Sequence, residues 1–352
     1  MRVAIVGFGQ SGKTSLFLAI SGLARDHLKP HEESLAAVKI PEPRLDWLEK
    51  VYEPKKRTEP TMEFVDLPGS TEADDGHAGL TRHLPTLRQC DALVAVVRAF
   101  ESEGVQKFKN RIDPAEDLSL LRDEFLFADL LICDKRVETL EKAIQKPSKD
   151  RDAQKHELTL LQRCKAALES GRPLRDVVAP EEEKTIRSFG FMTQKPLVAV
   201  VNVGENHAGA EPNIRDETAY ATYAVCASLE ADLIQMDPAE RGEMMQGWGI
   251  RALARDKIIR ACFDALGMIC FLTAGPEEVR AWPIPRGFTA VDAAGKIHSD
   301  LARGFIKAET VSFDDLFAAG SMRDAKAANK VRQEPKGYPV QDGDVILFKH
   351  SG

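Results

Sequence analysis

Residues 7–14 read Gly-Phe-Gly-Gln-Ser-Gly-Lys-Thr, which is the spacing G-x-x-x-x-G-K-[ST]. The run follows an apolar strand-like stretch, Val3 to Val6, and opens a helical pattern, Ser15 to Ile20. In that context the glycines let the backbone curl so that successive N–H groups face phosphate oxygens. Lys13 would reach the β- and γ-phosphates, and the hydroxyl of Thr14 would ligate Mg2+. Gly9, Gln10, Ser11, Gly12 and Ser15 complete the expected cradle. The same residues also spell G-x-G-x-x-G through Gly7, Gly9 and Gly12, a dinucleotide fingerprint. That alternative asks for an acidic residue closing a second strand about 20 residues on. Glu32 and Glu33 lie near that distance without a convincing strand before them, and Lys13-Thr14 would have no task, so the phosphate-loop reading is preferred.

Two further motifs stand where a phosphate-loop hydrolase needs them. Asp66-Leu67-Pro68-Gly69 is a D-x-x-G after the next buried strand. Asp66 there would hold a Mg2+-bound water and the Gly69 amide would sense the γ-phosphate. Asn202-Val203-Gly204-Glu205 follows the strand-like run Leu197 to Val201. Guanine-specific enzymes carry N-K-x-D at this place, where the Asp accepts hydrogen bonds from guanine N1–H and the 2-amino group. Here the Lys is Val203 and the Asp is Glu205, so guanine loses its contacts. Adenine offers neither donor and is not penalised. The reading is therefore a triphosphatase taking ATP, with GTP kept open.

The elements that must hold these residues are legible as buried strands at Val3 to Val6, Glu63 to Val65, Ala92 to Val97 and Leu197 to Val201, alternating with helices. That alternation predicts an α/β fold with a mostly parallel sheet. Between the third and fourth strands, residues 114–173 are charged and poor in Gly. Leu118, Leu121, Phe125, Ala128 and Ile132 keep helical spacing, as do Val137, Leu140 and Ile144. After a break at Pro147-Ser148, Leu158, Leu161, Cys164 and Leu168 do the same. This predicts an inserted antiparallel helical hairpin, serving either as packing or as a projecting arm. Past about Cys270, short β-like stretches (Val279 to Trp282, Gly304 to Glu309, Asp344 to Phe348) predict a small separate β-rich domain. The expected division is a sheet domain over 1–113 and 174–270, the hairpin over 114–173, and the small domain over 271–352.

Bulk properties exclude several classes. The net charge is -7, which argues against a generally basic nucleic-acid coat. The last domain has equal numbers of basic and acidic residues. The six cysteines (Cys90, Cys133, Cys164, Cys226, Cys262, Cys270) form no C-x-x-C pair, so neither a zinc site nor a disulfide framework is expected. No apolar run approaches the ~20 residues of a membrane span, and the expected location is the cytoplasm. The oligomeric state is left open, leaning to a monomer.

On these residues the chain resembles the YchF-type Obg-like ATPases, a branch of the translation-factor-related GTPase class. Pro41 to Leu45, Thr61 to Gly69, Arg88 to Phe100, Val225 to Leu233, Phe271 to Trp282, Ala293 to Asp300, Arg303 to Glu309 and Gln341 to Phe348 carry the likeness. The resemblance implies a phosphate-loop G domain, a coiled-coil arm matching the hairpin, and a β-grasp-like TGS domain at the C-terminus. It also implies Mg2+-dependent ATP hydrolysis, with N-x-x-E in place of N-K-x-D, and a ribosome or ribosomal RNA partner. By position it puts Val203 against the base, and Ala227 and Ser228 in the fifth loop that touches the base.

The sequence departs from that family in three places. Gly9-Gln10-Ser11 replaces P-N-V in the phosphate loop. The stretch Leu28 to Leu35 has no Thr where the family's metal-closing Thr stands, and Ser34 would serve only after a shift of the loop. The family's D-I-A-G-L-V-K-G segment is altered to Asp66-Leu67-Pro68-Gly69-Ser70-Thr71-Glu72-Ala73, and Ser70 stands where many GTPases outside the family have a water-orienting Gln. Slow intrinsic turnover is expected, with His77 and His83 as candidates to orient water. Two alternatives follow: a nucleotide-binding scaffold with little hydrolysis, or a GTPase with relaxed base recognition.

Overall fold

A computed structural model describes residues 1–29, 32–68, 77–105, 107–147, 149–214 and 216–351. The strands in chain order are β1 (Arg2–Val6), β2 (Ser34–Lys39), β3 (Lys56–Thr58), β4 (Thr61–Asp66), β5 (Ala92–Ala99), β6 (Leu197–Val203), β7 (Ala221–Val225), β8 (Met268–Ala274), β9 (Glu278–Pro285), β10 (Phe305–Ser312), β11 (Arg332–Glu334) and β12 (Asp344–His350). The helices used below are α1 (Lys13–Ser21), α2 (Arg44–Tyr52), α3 (His77–Gln89), α4 (Pro114–Ala143), α5 (Arg151–Glu169), α6 (Glu183–Ile186) and α7 (Ala227–Gln235).

The first sheet has the order β2-β4-β1-β5-β6-β7. The pairs β1–β4, β1–β5, β5–β6 and β6–β7 are parallel. Val94, Ala95 and Val96, and Val198 to Val201, are wholly buried. Strands covered on both faces read as unbroken apolar runs, which is why these central strands stand out in the sequence. The second sheet, β11-β10-β12-β8-β9-β3, mixes antiparallel and parallel pairs. Its apolar face packs on the helix Ala290–Ile297, which starts with a capping box between Thr289 and Asp292.

The helical hairpin forms as its periodicity predicts. Asp113 caps α4 by accepting from the Glu116 amide, with Pro114 at the first helical position. Leu118, Leu121 and Phe125 pack against the first sheet. About two turns further, Cys133, Val137 and Leu140 pack with Leu158, Leu161, Cys164 and Leu168 of α5. The first half of α4 is thus sheet cover, and only the second half is half of a hairpin. All six cysteines are free and buried.

The compact division is Met1–Ala36 with Glu63–Ile258, and Ala37–Met62 with Ile259–Gly352. It differs from the contiguous boundaries expected at 270/271. The hairpin belongs to the first unit, and the segment 37–62 joins the second. The reasons are specific to the second unit. β3 pairs with β9 through Lys56↔Glu278 and Thr58↔Arg280. Arg44 bridges Glu42 and Asp342, and Trp47 packs on Phe313 and Phe317.

Asp129 of α4 is wholly buried and joins the hairpin to the turn before β6. It accepts from the amides of Met192 (2.9 Å) and Thr193 (2.8 Å) and from the Thr193 hydroxyl (2.7 Å). Asp129→Ala leaves three buried donors without an acceptor, a loss of about 3 kcal/mol in urea unfolding. Burial pushes the native carboxyl up to about 6 against an ordinary 3.8, with the three donors opposing the shift. The native state therefore holds a proton that the unfolded chain has released. Wild-type stability should fall as pH rises through that interval and level off above it. The variant should lack this slope.

Candidate nucleotide site

The site begins where β1 ends. Gly7 and Gly12 hold backbone shapes closed to other residues. A Cβ on Gly7 would meet the Val96 carbonyl oxygen at 2.3 Å, and one on Gly12 would meet Asn202 Nδ2 at 2.0 Å. Gly12 (φ 94°) and Gln10 (φ 58°) are both left-handed, so the chain curls tightly before α1 starts at Lys13. No acidic residue occupies the first turn of α1. The opening amides of a helix have no intrahelical acceptor, and the helix dipole is positive at this end. A helix start of this kind suits a phosphate.

Lys13 is only 7% exposed, and its ammonium donates to the Phe8 carbonyl (2.9 Å). Burial lowers its pKa to about 8, against the pull of Asp66. A cation held in a desolvated loop with a carbonyl as its hydrogen-bond partner is poised to exchange that carbonyl for an anion.

Asp66 ends β4, paired in register with Ile5 of β1. Its Oδ2 accepts from the Thr14 hydroxyl at 2.8 Å. Its Oδ1 is buried and has no hydrogen-bond partner among the described residues. Burial raises the pKa of the carboxyl, while Thr14 and Lys13 oppose the rise. A hydroxyl bonded to a carboxylate that keeps one oxygen free is the donor set a Mg2+ ion and its water would use. Gly69, with Ser70 to Ala73, lies outside the described residues, as does the His77 side chain.

Asn202 ends β6 and faces two loops at once. Its Nδ2 donates to the Ser11 carbonyl (3.0 Å) and its Oδ1 accepts from the Ala227 amide (3.0 Å). Both polar ends are therefore engaged by protein, and the side chain braces the phosphate loop against the start of α7. The register Asn202↔Val225 brings residues 203–205 and 226–228 to the same edge of the sheet. Val203 is half-buried, while Glu205, in the turn Glu205–His207, and Ser228 are exposed. Ala227 is buried at the first position of α7. The dinucleotide alternative fails on topology: Glu32 and Glu33 precede β2 rather than closing a strand.

Several neighbours carried no pattern in the sequence. Phe8 stacks on Phe108 with ring centroids 4.1 Å apart. The adjacent Lys109 and Asn110 are both left-handed. Arg98, buried in β5, donates to the carbonyls of Phe100 and Val105 and lies over the Phe100 ring, so it shapes the turn beside Gly204. His83 is half-buried, hydrogen-bonded to the Pro68 backbone and 3.9 Å from Glu33. Burial depresses its pKa, so it is neutral there at physiological pH. Its hydrogen bond with the Pro68 backbone ties α3 to the residues that follow Asp66.

Comparison with known proteins bears on the whole chain. A model of 50S ribosome-binding GTPases matches residues 2–123. A model of the C-terminal domain of YchF GTPases, described as a protein of unknown function, matches residues 268–351. The chain is 35% identical to the ribosome-binding ATPase YchF of Escherichia coli O157:H7, over 99% of this chain and 98% of that one. It is 35% identical to the protein of the same name from Bacillus subtilis, over 99% of both. Identity to Obg-like ATPase 1 of Oryza sativa is 33%, over 99% of this chain and 92% of that one. The solved YchF GTPase of Schizosaccharomyces pombe superposes with a TM-score of 0.82 at 26% identity, covering 99% of this chain and 97% of that one.

Proposed function

The chain belongs to the YchF-type Obg-like ATPase family, and from that premise we propose that it hydrolyses ATP slowly, with Mg2+, as a nucleotide-dependent switch on ribosomes. The observation that carries this reading is the buried Lys13 ammonium in a loop next to a Thr14–Asp66 pair whose carboxylate keeps one unpartnered oxygen.

In the proposed reaction, the amides of Gly9 to Ser15 and the Lys13 ammonium wrap the β- and γ-phosphates. They stabilise the charge that develops on the γ-phosphoryl oxygens as water attacks in line. Thr14 and Asp66 are the residues that would hold Mg2+, which would supply neutralisation of charge on the phosphates. Gly69 would report the γ-phosphate. Asn202 keeps the phosphate loop in register with the base loop. Val203, Ala227 and Ser228 would bound the base, and Glu205 stands where a guanine-reading Asp would be. With no Thr between Leu28 and Leu35 and with Ser70 in place of a water-orienting Gln, turnover without a partner is slow.

Relatives are named for ribosome binding, and we extend that partner to this chain, together with a cytoplasmic location. The hairpin 114–173 and the C-terminal domain 271–352 are the proposed carriers of the contact. Among the described residues no helix is long and apolar enough to cross a membrane.

Single-turnover hydrolysis, with enzyme in excess over radiolabelled Mg·ATP, tests the reading. A slow first-order release of phosphate is expected. Intact ATP after hours of incubation would turn the protein into a nucleotide-binding scaffold.

A further inference from the structure

A cavity of about 230 Å³ opens in the first unit, at the end of the first sheet opposite the phosphate loop. Its floor is apolar: Leu93 and Leu197, at the starts of β5 and β6, lie with Phe125 of α4 and with Met192, all four buried. Its rim carries Arg122 of α4 and Arg175, from the turn Leu174–Asp176 that follows α5. We infer that this cavity binds a small organic monocarboxylate, a compact apolar body with one carboxyl group, whose carboxylate lies between the two guanidinium groups. The site is separate from the nucleotide reaction, whose residues gather at the other end of β1, β4 and β6.

Size and lining set the body of the ligand. A dry apolar cavity of about 150 Å³ admits benzene. This one has room for a phenyl ring with a short acid chain. An apolar lining with a few placed polar groups is the usual make of a small-molecule site.

The rim sets its charge. Arg122 pairs with Asp216, whose Oδ1 already accepts from the Thr218 amide (2.9 Å), the Thr218 hydroxyl (3.1 Å) and the Ala219 amide (3.1 Å). Arg122 Nε and Nη2 are buried, which leaves Nη1, free of hydrogen bonds among the described residues, as the nitrogen a ligand meets. Arg175 donates from Nη1 to the Lys195 carbonyl (3.4 Å) and from Nη2 to the Thr218 carbonyl, and each of these nitrogens keeps a second hydrogen. The two arginine side chains are 28% and 26% exposed, so a bond to either is partly desolvated and still within reach. Burial, and then the neighbouring Arg175 charge, lower the pKa of Arg122, and an anion between the two would relieve that repulsion.

Arg122, Arg175 and Lys195 line the cavity against Asp123 and the paired Asp216, which leaves one positive charge in excess. A monoanion balances it, whereas a phosphate dianion overshoots and faces Asp123. The walls are fixed in advance, because Asp129 holds the amides of Met192 and Thr193. A preformed cavity spares its ligand the entropy of ordering it.

The test titrates 3-phenylpropionate into the full chain labelled with 13C-methyl methionine. Of the eight methionines only Met192 lines the cavity, so its methyl resonance, assigned with Met192→Leu, should shift while the others stay. The same skeleton as an alcohol or an amine should bind at least about tenfold more weakly, or 1.4 kcal/mol. R175Q should weaken the acid by the same factor and leave the alcohol unchanged. Ser119 is an exposed rim residue, so S119W should block the acid while thermal unfolding and ATP hydrolysis keep their wild-type values. An unmoved Met192 resonance, an alcohol that binds as tightly as the acid, or S119W that binds like wild type would overturn the proposal. So would inorganic phosphate that shifts Met192 and displaces the acid at equal concentration, which would assign the cavity to phosphate.

Discussion

Lys13→Ala should lower the single-turnover rate of ATP hydrolysis by about 10³-fold, the scale of removing a preorganised charge from a transition state. The ammonium is almost wholly buried and donates to the Phe8 carbonyl alone among the described residues. It is therefore a cation whose desolvation the fold bears without an ion pair of its own, since Asp66 spends one oxygen on Thr14. An anion in the loop is the group that balances it. The variant should keep or raise its unfolding midpoint, because it removes a buried charge whose one hydrogen-bond partner is a neutral carbonyl. Quenched-flow measurement of phosphate release, alongside urea unfolding, separates these two effects. A variant that hydrolyses ATP within tenfold of wild type would remove Lys13 from the catalytic group.

Gly12→Ala should weaken nucleotide binding by about 30-fold or more. Two costs add. A left-handed φ of 94° is strained for any residue with a Cβ, at about 1–2 kcal/mol. The new Cβ would also overlap Asn202 Nδ2 at 2.0 Å. Asn202 can yield only by giving up its bond to Ser11 or its bond to Ala227, each buried and worth about 1–3 kcal/mol when broken. Since 1.4 kcal/mol is a factor of ten, the sum of about 2–5 kcal/mol corresponds to about 30-fold or more, borne on binding because the empty loop relaxes and nucleotide must restore its shape. Calorimetric titration with Mg·ATP measures it. Affinity close to wild type would mean that Asn202 is not the brace described.

The parts of the site that were legible in the sequence are those built from neighbours. The phosphate loop sits between β1 and α1 in a few consecutive residues, and its glycines mark positions where backbone shape is decisive. The strands holding Asp66 and Asn202 are buried on both faces, so they read as apolar runs. The hairpin keeps its helical period over α4 and α5, and the buried set matches it closely.

What escaped the sequence depends on contacts between distant residues. In the sequence Asn202 reads only as the first residue of the N-x-x-E motif. Its actual partners, 191 and 25 residues away, make it a structural brace. The edge strands β2, β3 and β7 have mixed burial and so lack an apolar run. The segment 37–62 joins the second unit through β3–β9 pairing and the Arg44–Asp342 bridge, 298 residues apart, which no local pattern announces. The stack of Phe8 on Phe108 and the His83 contact with Pro68 are tertiary in the same sense.

The most direct test of the central claim, an ATP-preferring nucleotide site, is parallel calorimetric titration of the nucleotide-free protein with Mg·ATP and Mg·GTP. Binding of ATP at least tenfold tighter than GTP is the predicted result, because Glu205 replaces the guanine-reading Asp of N-K-x-D and its longer side chain carries the carboxylate away from the guanine donors. Tighter binding of GTP would contradict it and assign Glu205 the role of the missing aspartate.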